Sequence, residues 1–160
     1  MVGLNLYIAP KYYATMMIST RGRYAIRVMI DLAEQGSTGY TRLKDISERQ
    51  DISLKYLESI TAALSKSGLI DGVHGKGGGY RLNRPPQEYR LSDILHATEG
   101  SLAPVACLGC DARPCERAQI CRTLPMWKKL YETVNEFFDG YTIADLMHNK
   151  VDFEYLSAEL

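Results

Sequence analysis

The 160-residue chain is 46% hydrophobic and 24% charged, a composition that suits a soluble globular protein with one core and an appendage. No apolar run approaches the roughly 18–20 residues of a membrane span, and residues 1–15 carry one cation, Lys11, without the apolar core or cleavage site of a secretory signal. The formal net charge is zero, but residues 1–90 hold 13 Lys+Arg against 8 Asp+Glu and residues 91–160 hold 6 against 11, so a basic front meets an acidic back.

Residues 1–16 show no sustained period and contain Pro10, so a disordered extension is expected, with an alternative start at Met16 or Met17. From Thr20 the pattern turns helical. Tyr24, Ile26, Val28, Met29, Ile30, Leu32 and Ala33 give a mostly apolar helix that ends near Gly36. Thr41 is placed to cap a short second helix through Arg49, buried by Leu43 and Ile46. Ser53 is placed to cap a third, with Leu57, Ile60, Ala63 and Leu64 as its inner stripe and Gly68 as its stop. Two short helices joined by a tight turn, the second showing small and polar side chains outward, form the helix-turn-helix pattern.

Residues 69–73 then read as a strand, 75–79 as a glycine turn and 80–82 as a returning strand, which makes a wing. A further short helix is expected over 91–98, capped by Ser92. Gly100, Pro104, Gly109 and Pro114 keep 99–124 irregular. A long amphipathic helix follows over 125–139, with Pro125 in its first turn. Its stripe of Trp127, Leu130, Tyr131, Val134, Phe137 and Phe138 needs cover, from a dimer mate or from the chain's own core. The expected fold is mainly α with a small β-hairpin wing. A winged helix-turn-helix domain covers 17–90, and a short helix with a cysteine loop covers 91–124. A dimerisation helix with a C-terminal turn covers 125–148, and 149–160 is a tail.

A basic first half can bind phosphates without a high overall pI, although the charge split could also arise by chance. On the third helix, Ser53, Lys55, Tyr56, Glu58 and Ser59 are candidates for a major groove. Lys55 and Tyr56 can bond phosphate or base edges, and Glu58 can accept from cytosine N4 or pair with a neighbouring cation. Thr20, Arg21 and Lys44 join the DNA-contacting set. The glycine run Gly75-Lys76-Gly77-Gly78-Gly79 matches neither a P-loop, since Gly77 follows Lys76, nor a dinucleotide fingerprint, since Tyr80 holds the last position. With His74, Lys76 and Gly78 it suits a hairpin tip that approaches a minor groove or phosphate, or a plain tight turn.

Cys107, Cys110, Cys115 and Cys121 lie within fifteen residues in the spacing C-x2-C-x4-C-x5-C, and the other positions have no cysteine. Without an export signal this reads as a metal site before a disulfide framework. Paired knuckles would favour zinc, but only Cys107 and Cys110 form one. Thiolates on an irregular glycine- and proline-rich loop suit an iron–sulfur cluster. By spacing alone, cluster, zinc and free or switching thiols all stay open.

The segments Ser-Thr-Arg-Gly-Arg-Tyr-Ala (19–25), Ile-Ser-Leu-Lys-Tyr-Leu-Glu (52–58), Gly-Lys-Gly-Gly-Gly-Tyr (75–80) and Cys-Arg-Thr-Leu-Pro-Met-Trp (121–127) resemble the winged-helix regulators of the iron–sulfur cluster regulator family (the IscR, NsrR, RirA and CymR type) over about 17–147. The resemblance implies a cytoplasmic homodimer that crosses its long C-terminal helices and binds a double-stranded DNA operator. It also implies a 2Fe–2S or 4Fe–4S cluster, sensing iron, redox state or nitric oxide. Tyr56 and Glu58 fall on the recognition helix, Glu58 at a base-reading position, and His74, Lys76 and Gly78 fall on the wing. Cys115 and Cys121 match two cluster cysteines, and Cys107 and Cys110 both match spacings seen for the third. Two positions depart from the pattern. Leu124 stands where IscR-type members supply a histidine ligand, and Arg23 stands where some nitric-oxide sensors supply a carboxylate.

Two rivals follow. One is a cofactor-free regulator of cysteine metabolism controlled by a protein partner, as the CymR type is, or by thiol oxidation; the CymR type lacks these cysteines, so the four present here weigh against it. The other is a small metal enzyme or electron carrier, for which His74, His96 and His148 are too scattered to form an acid–base constellation.

Overall fold

In a computed structural model, which describes residues 18–36, 39–109, 113 and 115–148, Ser19 caps the first helix. Its hydroxyl accepts the Arg21 and Gly22 amides at 3.1 and 3.3 Å, satisfying donors that a helix start leaves open. Helix α1 (Thr20–Glu34) buries Ala25, Val28, Met29 and Leu32 against the core. The expected extension, the tail and Cys110 lie outside the described residues.

Helix α2 (Leu43–Gln50) begins without a side-chain cap, contrary to the role expected of Thr41. Thr41 instead exchanges both main-chain hydrogen bonds with Tyr80 at 2.8 Å, so its backbone is committed to the sheet edge. The turn into α3 (Leu54–Lys66) is made by Asp51 in a left-handed conformation, which a short polar side chain tolerates. Ser47 Oγ donates to the Ile52 carbonyl at 2.6 Å and locks that turn. Ser53 occupies the cap position of α3 but makes no capping bond. Leu57, Ile60 and Leu64 are fully buried as expected, and Thr61 joins them, its hydroxyl returned to the Leu57 carbonyl at 3.0 Å.

Strands β1 (Ile70–Val73) and β2 (Gly79–Leu82) pair antiparallel in the register Ile70↔Leu82 to Val73↔Gly79. The hairpin base is fixed by Tyr89, which is fully buried. Its hydroxyl accepts the Asn83 and Arg84 amides and donates to Asn83 Oδ1, each at 2.9 Å.

Helix α4 (Leu91–Glu99) starts after Arg90. Ser92, expected as its cap, lies inside the helix, and its hydroxyl donates to Asp139. The long helix α5 (Leu124–Asp139) leads into a short α6 (Ile143–Met147), opened by a capping box of Thr142 and Asp145. Ile143 is fully buried, and its amide bonds the Tyr89 carbonyl at 3.0 Å. Helix α6 thus packs on the winged-helix core beside α1. No described helix is long and apolar enough to cross a membrane.

Candidate nucleic-acid interface and cysteine loop

The outer face of α3 leaves Ser53, Lys55 and Glu58 exposed. The Glu58 carboxylate takes part in no ion pair among the described residues, so it stays available to an incoming donor. Tyr56 is half-buried, its ring edge-on to Tyr24 at 5.8 Å, and the Arg27 guanidinium lies over Tyr24 at 5.1 Å. Ser59 is also half-buried, and its hydroxyl is turned back to the Tyr56 carbonyl at 2.8 Å. The side chain of Ser59 therefore serves the helix, while its carbonyl accepts from Arg21 Nη2 at 3.0 Å. Thr20 is exposed in the first turn of α1 and accepts from Arg23 at 3.1 Å. Lys44 is exposed on α2 beside Glu48 at 3.7 Å, a contact too solvated to hold it firmly.

On the wing, His74 and Lys76 are exposed. Gly75 and Gly77 have φ of +100° and +84°, which a side chain would strain. A Cβ on Gly78 would overlap the Val73 carbonyl, so the tip closes only with glycine there. Between α3 and the wing lies a cleft of about 520 Å³ lined by Ala62, Ser65, His74 and Tyr80 among others. Helix α3 and the wing thus border one space.

Between α4 and α5 the described residues include two short 3-10 turns, Ala106–Leu108 and Ala118–Ile120. Cys107 and Cys115 are exposed, Cys121 is half-buried, and all three are free thiols. Cys121 Sγ lies 3.4 Å from Thr123 Oγ1. That hydroxyl, followed by the backbone amides of Thr123 and Leu124 and the Arg117 charge, holds the Cys121 thiol below its ordinary range. Soft, reachable sulfur donors on an irregular loop suit a thiolate-bound centre. Among the described residues no three His, Cys, Asp or Glu side chains are gathered closely enough to hold a metal ion.

A family model described as Rrf2, iron-dependent transcriptional regulator, matches residues 18–149. The chain belongs to the Rrf2 family. It is 38% identical over 132 residues to the HTH-type transcriptional regulator IscR of Aliivibrio salmonicida, covering 82% of this chain and 77% of that protein. Among solved structures, it resembles CymR, the global cysteine regulator of B. subtilis, with a TM-score of 0.65, 34% identity and coverage of 83% and 97% of the two chains. It also resembles T. potens IscR, with a TM-score of 0.64, 32% identity and coverage of 84% and 88%.

This Rrf2 chain is accordingly a winged-helix transcriptional regulator and not an enzyme. Its fold brings Arg21 and Ser59 into direct contact, and sets Ser53, Lys55 and Glu58 on one exposed stretch. The reading from sequence omitted Leu54, which is 45% exposed in the first turn of the same helix and one turn from Glu58. Its signal was available: it is a leucine outside the inner stripe of Leu57, Ile60 and Leu64. The hydrogen bond between Ser19 and Glu99 was also omitted, and only tertiary structure reveals it.

Proposed function

We propose that the chain acts in the cytoplasm as a homodimer whose affinity for a double-stranded DNA operator is set by an iron–sulfur cluster in the 107–121 loop. The observation that carries this reading is the concentration of all four cysteines in the segment between the winged-helix core and α5. The likeness to proteins named IscR supports it. Helix α3 would enter the major groove, with Lys55 and Tyr56 positioning and Glu58 reading. The wing, with His74 and Lys76 and the closely packed Gly78, would reach the minor groove or its phosphates. Thr20, Arg21 and Lys44 would meet the backbone, and Ser53 and Ser59 would flank the reading face.

Cys107, Cys110, Cys115 and Cys121 would hold the cluster, which when bound supplies a centre sensitive to oxidants, nitric oxide and iron supply. Leu124, the first residue of α5, offers no donor. Either both Cys107 and Cys110 bind, or another group completes the set. Iron and sulfide analysis of anaerobically prepared protein, with single Cys107→Ala and Cys110→Ala variants, tests the ligand set. Gel shifts of the loaded and unloaded forms on the protein's own promoter test the switch. Equal operator affinity in the two forms would remove it.

A second reading, a cofactor-free regulator of cysteine metabolism controlled by a protein partner or thiol oxidation, is favoured by the likeness to CymR. The free, exposed Cys107 and Cys115 suit thiol oxidation. Colourless, iron-free protein from anaerobic preparation, with DNA binding that responds to thiol oxidants, would select this reading.

A further inference from the structure

Glu99 ends α4 and Ser19 precedes α1, 80 positions apart in sequence. Ser19 Oγ donates to Glu99 Oε1 at 2.6 Å while accepting the Arg21 and Gly22 amides. One donated proton and two accepted bonds use the hydroxyl's full capacity. The first turn of α1 is therefore tied to α4 through a single atom.

Gly22 shows how close the tie is. A Cβ there would overlap Glu99 Oε1 and press on Ile18 and Leu95 at 3.1 Å. The carboxylate lies against the start of α1, where the helix dipole favours an anion. Beyond Glu99 the chain turns at Gly100, with φ of +78°, and becomes the cysteine segment. Beyond Ser19 come Thr20 and Arg21, and Arg21 bonds the recognition helix at Ser59. Loop, carboxylate, hydroxyl, α1 and α3 form one bonded series.

We infer that Glu99 is a positioning residue for DNA binding: by holding the Ser19 hydroxyl it aims the first turn of α1, and it transmits rearrangement of the cysteine loop to Thr20, Arg21 and α3. The inference rests on the DNA-contacting and loop-sensing roles proposed above. Coupling between two sites is reciprocal, so a change at Ser19 must be felt at the cysteines, and a change at Glu99 must be felt by DNA.

The test uses the full chain without a cluster. It reads operator affinity by fluorescence anisotropy, on a duplex the wild-type protein selects from random sequence. It also reads iodoacetamide alkylation of each cysteine by mass spectrometry. The variants are Glu99→Ala, Gly22→Ala, Ser19→Asp and Glu99→Gln. Ser19→Asp keeps a capping acceptor but has no proton to donate and opposes Glu99 with a second carboxylate. Ser19→Asp and Gly22→Ala are expected to change Cys107 alkylation about fivefold, and Glu99→Ala to weaken operator binding by about the same factor. Glu99→Gln still accepts the hydrogen bond and restores both towards wild type.

Folded variants with wild-type thiol rates overturn the inference. So do altered thiol rates with unchanged DNA affinity, since the tie is then only structural. If Glu99→Ala fails to fold, Ser19→Asp and Glu99→Gln carry the same decision. Wild-type protein that binds no duplex sinks the functional reading itself, while thiol rates in Ser19→Asp still decide whether loop and α1 are linked.

Discussion

Arg21 Nη2 donates to the Ser59 main-chain carbonyl at 3.0 Å, bonding the first turn of α1 to the middle of α3 across 38 positions of sequence. Arg21 Nε is buried with no partner among the described residues. A guanidinium carries five donors in a fixed fork, so one side chain can brace the recognition helix and still offer N–H groups to a phosphate.

Arg21→Ala is therefore expected to weaken binding to operator and random duplex alike. It should also lower the slope of log affinity against log salt by about one, the signature of a lost phosphate contact. Arg21→Lys should recover part of the salt slope but not the brace to Ser59. Fluorescence anisotropy at several salt concentrations separates the two roles. A loss restricted to one base position would remove Arg21 from the backbone-contacting set.

Glu58 is exposed and outside any ion pair among the described residues, so Glu58→Gln should leave the melting temperature unchanged. It should erase a preference for one base, costing about 1–3 kcal/mol on the best site and less elsewhere. Leu54, one turn earlier on that face, is an exposed apolar side chain of the kind that can contact a thymine methyl. Selection from random duplexes should show relaxed preference at one position for Glu58→Gln. Unchanged selected sequences with Glu58→Gln would assign Glu58 to solvent.

The buried Asp31 carboxylate, 1% exposed, receives Arg49 Nε and Nη2 at 2.9 and 2.7 Å and Gln50 Nε2 at 3.0 Å. These bonds join α1 to the end of α2. Breaking a buried ion pair from one side costs on the order of 3–5 kcal/mol, and Arg49 is partly exposed, so Arg49→Ala should fall at or below the low end by urea denaturation. The bond to Asp31 raises the Arg49 guanidinium above its ordinary value. That stabilisation is fully present below the unfolded arginine pKa and is lost only as pH climbs through the folded one, so the cost should be unchanged at mildly alkaline pH. A neutral effect of Arg49→Ala would show that Gln50 and water suffice for Asp31.

The helices were legible because their apolar spacing is local. Leu57, Ile60 and Leu64 announce the buried side of α3, and the glycines of 75–79 announce the wing. Caps were less legible, because a hydroxyl or backbone group can be claimed by a distant partner: Tyr80 takes the Thr41 backbone, and Asp139, 47 positions on, takes Ser92. Asp31 interrupts an apolar helix, and its reason lies 18 and 19 positions away in Arg49 and Gln50. The Thr142–Asp145 capping box, by contrast, is a local signal for α6 that the sequence reading passed over in expecting only a turn. At the candidate site, residue types were legible but engagement was not. Glu58 and Ser59 are adjacent polar residues, yet one faces outward and the other is tied to its own helix.

Helix α5 is 16 residues long, and none of them is buried. Phe137 and Met126 are 56% and 54% exposed, while Trp127, Leu130, Tyr131, Val134 and Phe138 are half-covered. A fully buried phenylalanine gains about 1.5–3 kcal/mol over an exposed one, so this stripe favours a second α5 as its cover. Phe137→Glu is expected to shift sedimentation from dimer to monomer and to weaken operator binding, because two half-sites would no longer be engaged by one linked particle. Lys129→Glu, on the exposed side that pairs with Glu132, should leave the dimer intact. If α5 served only its own protomer, Phe137→Glu would lower the melting temperature by the same amount at every protein concentration. A dimer seam instead makes wild-type melting rise with concentration, and the variant loses that dependence. A wild-type melting temperature flat across a hundredfold dilution series spanning dissociation would remove α5 from the dimer interface.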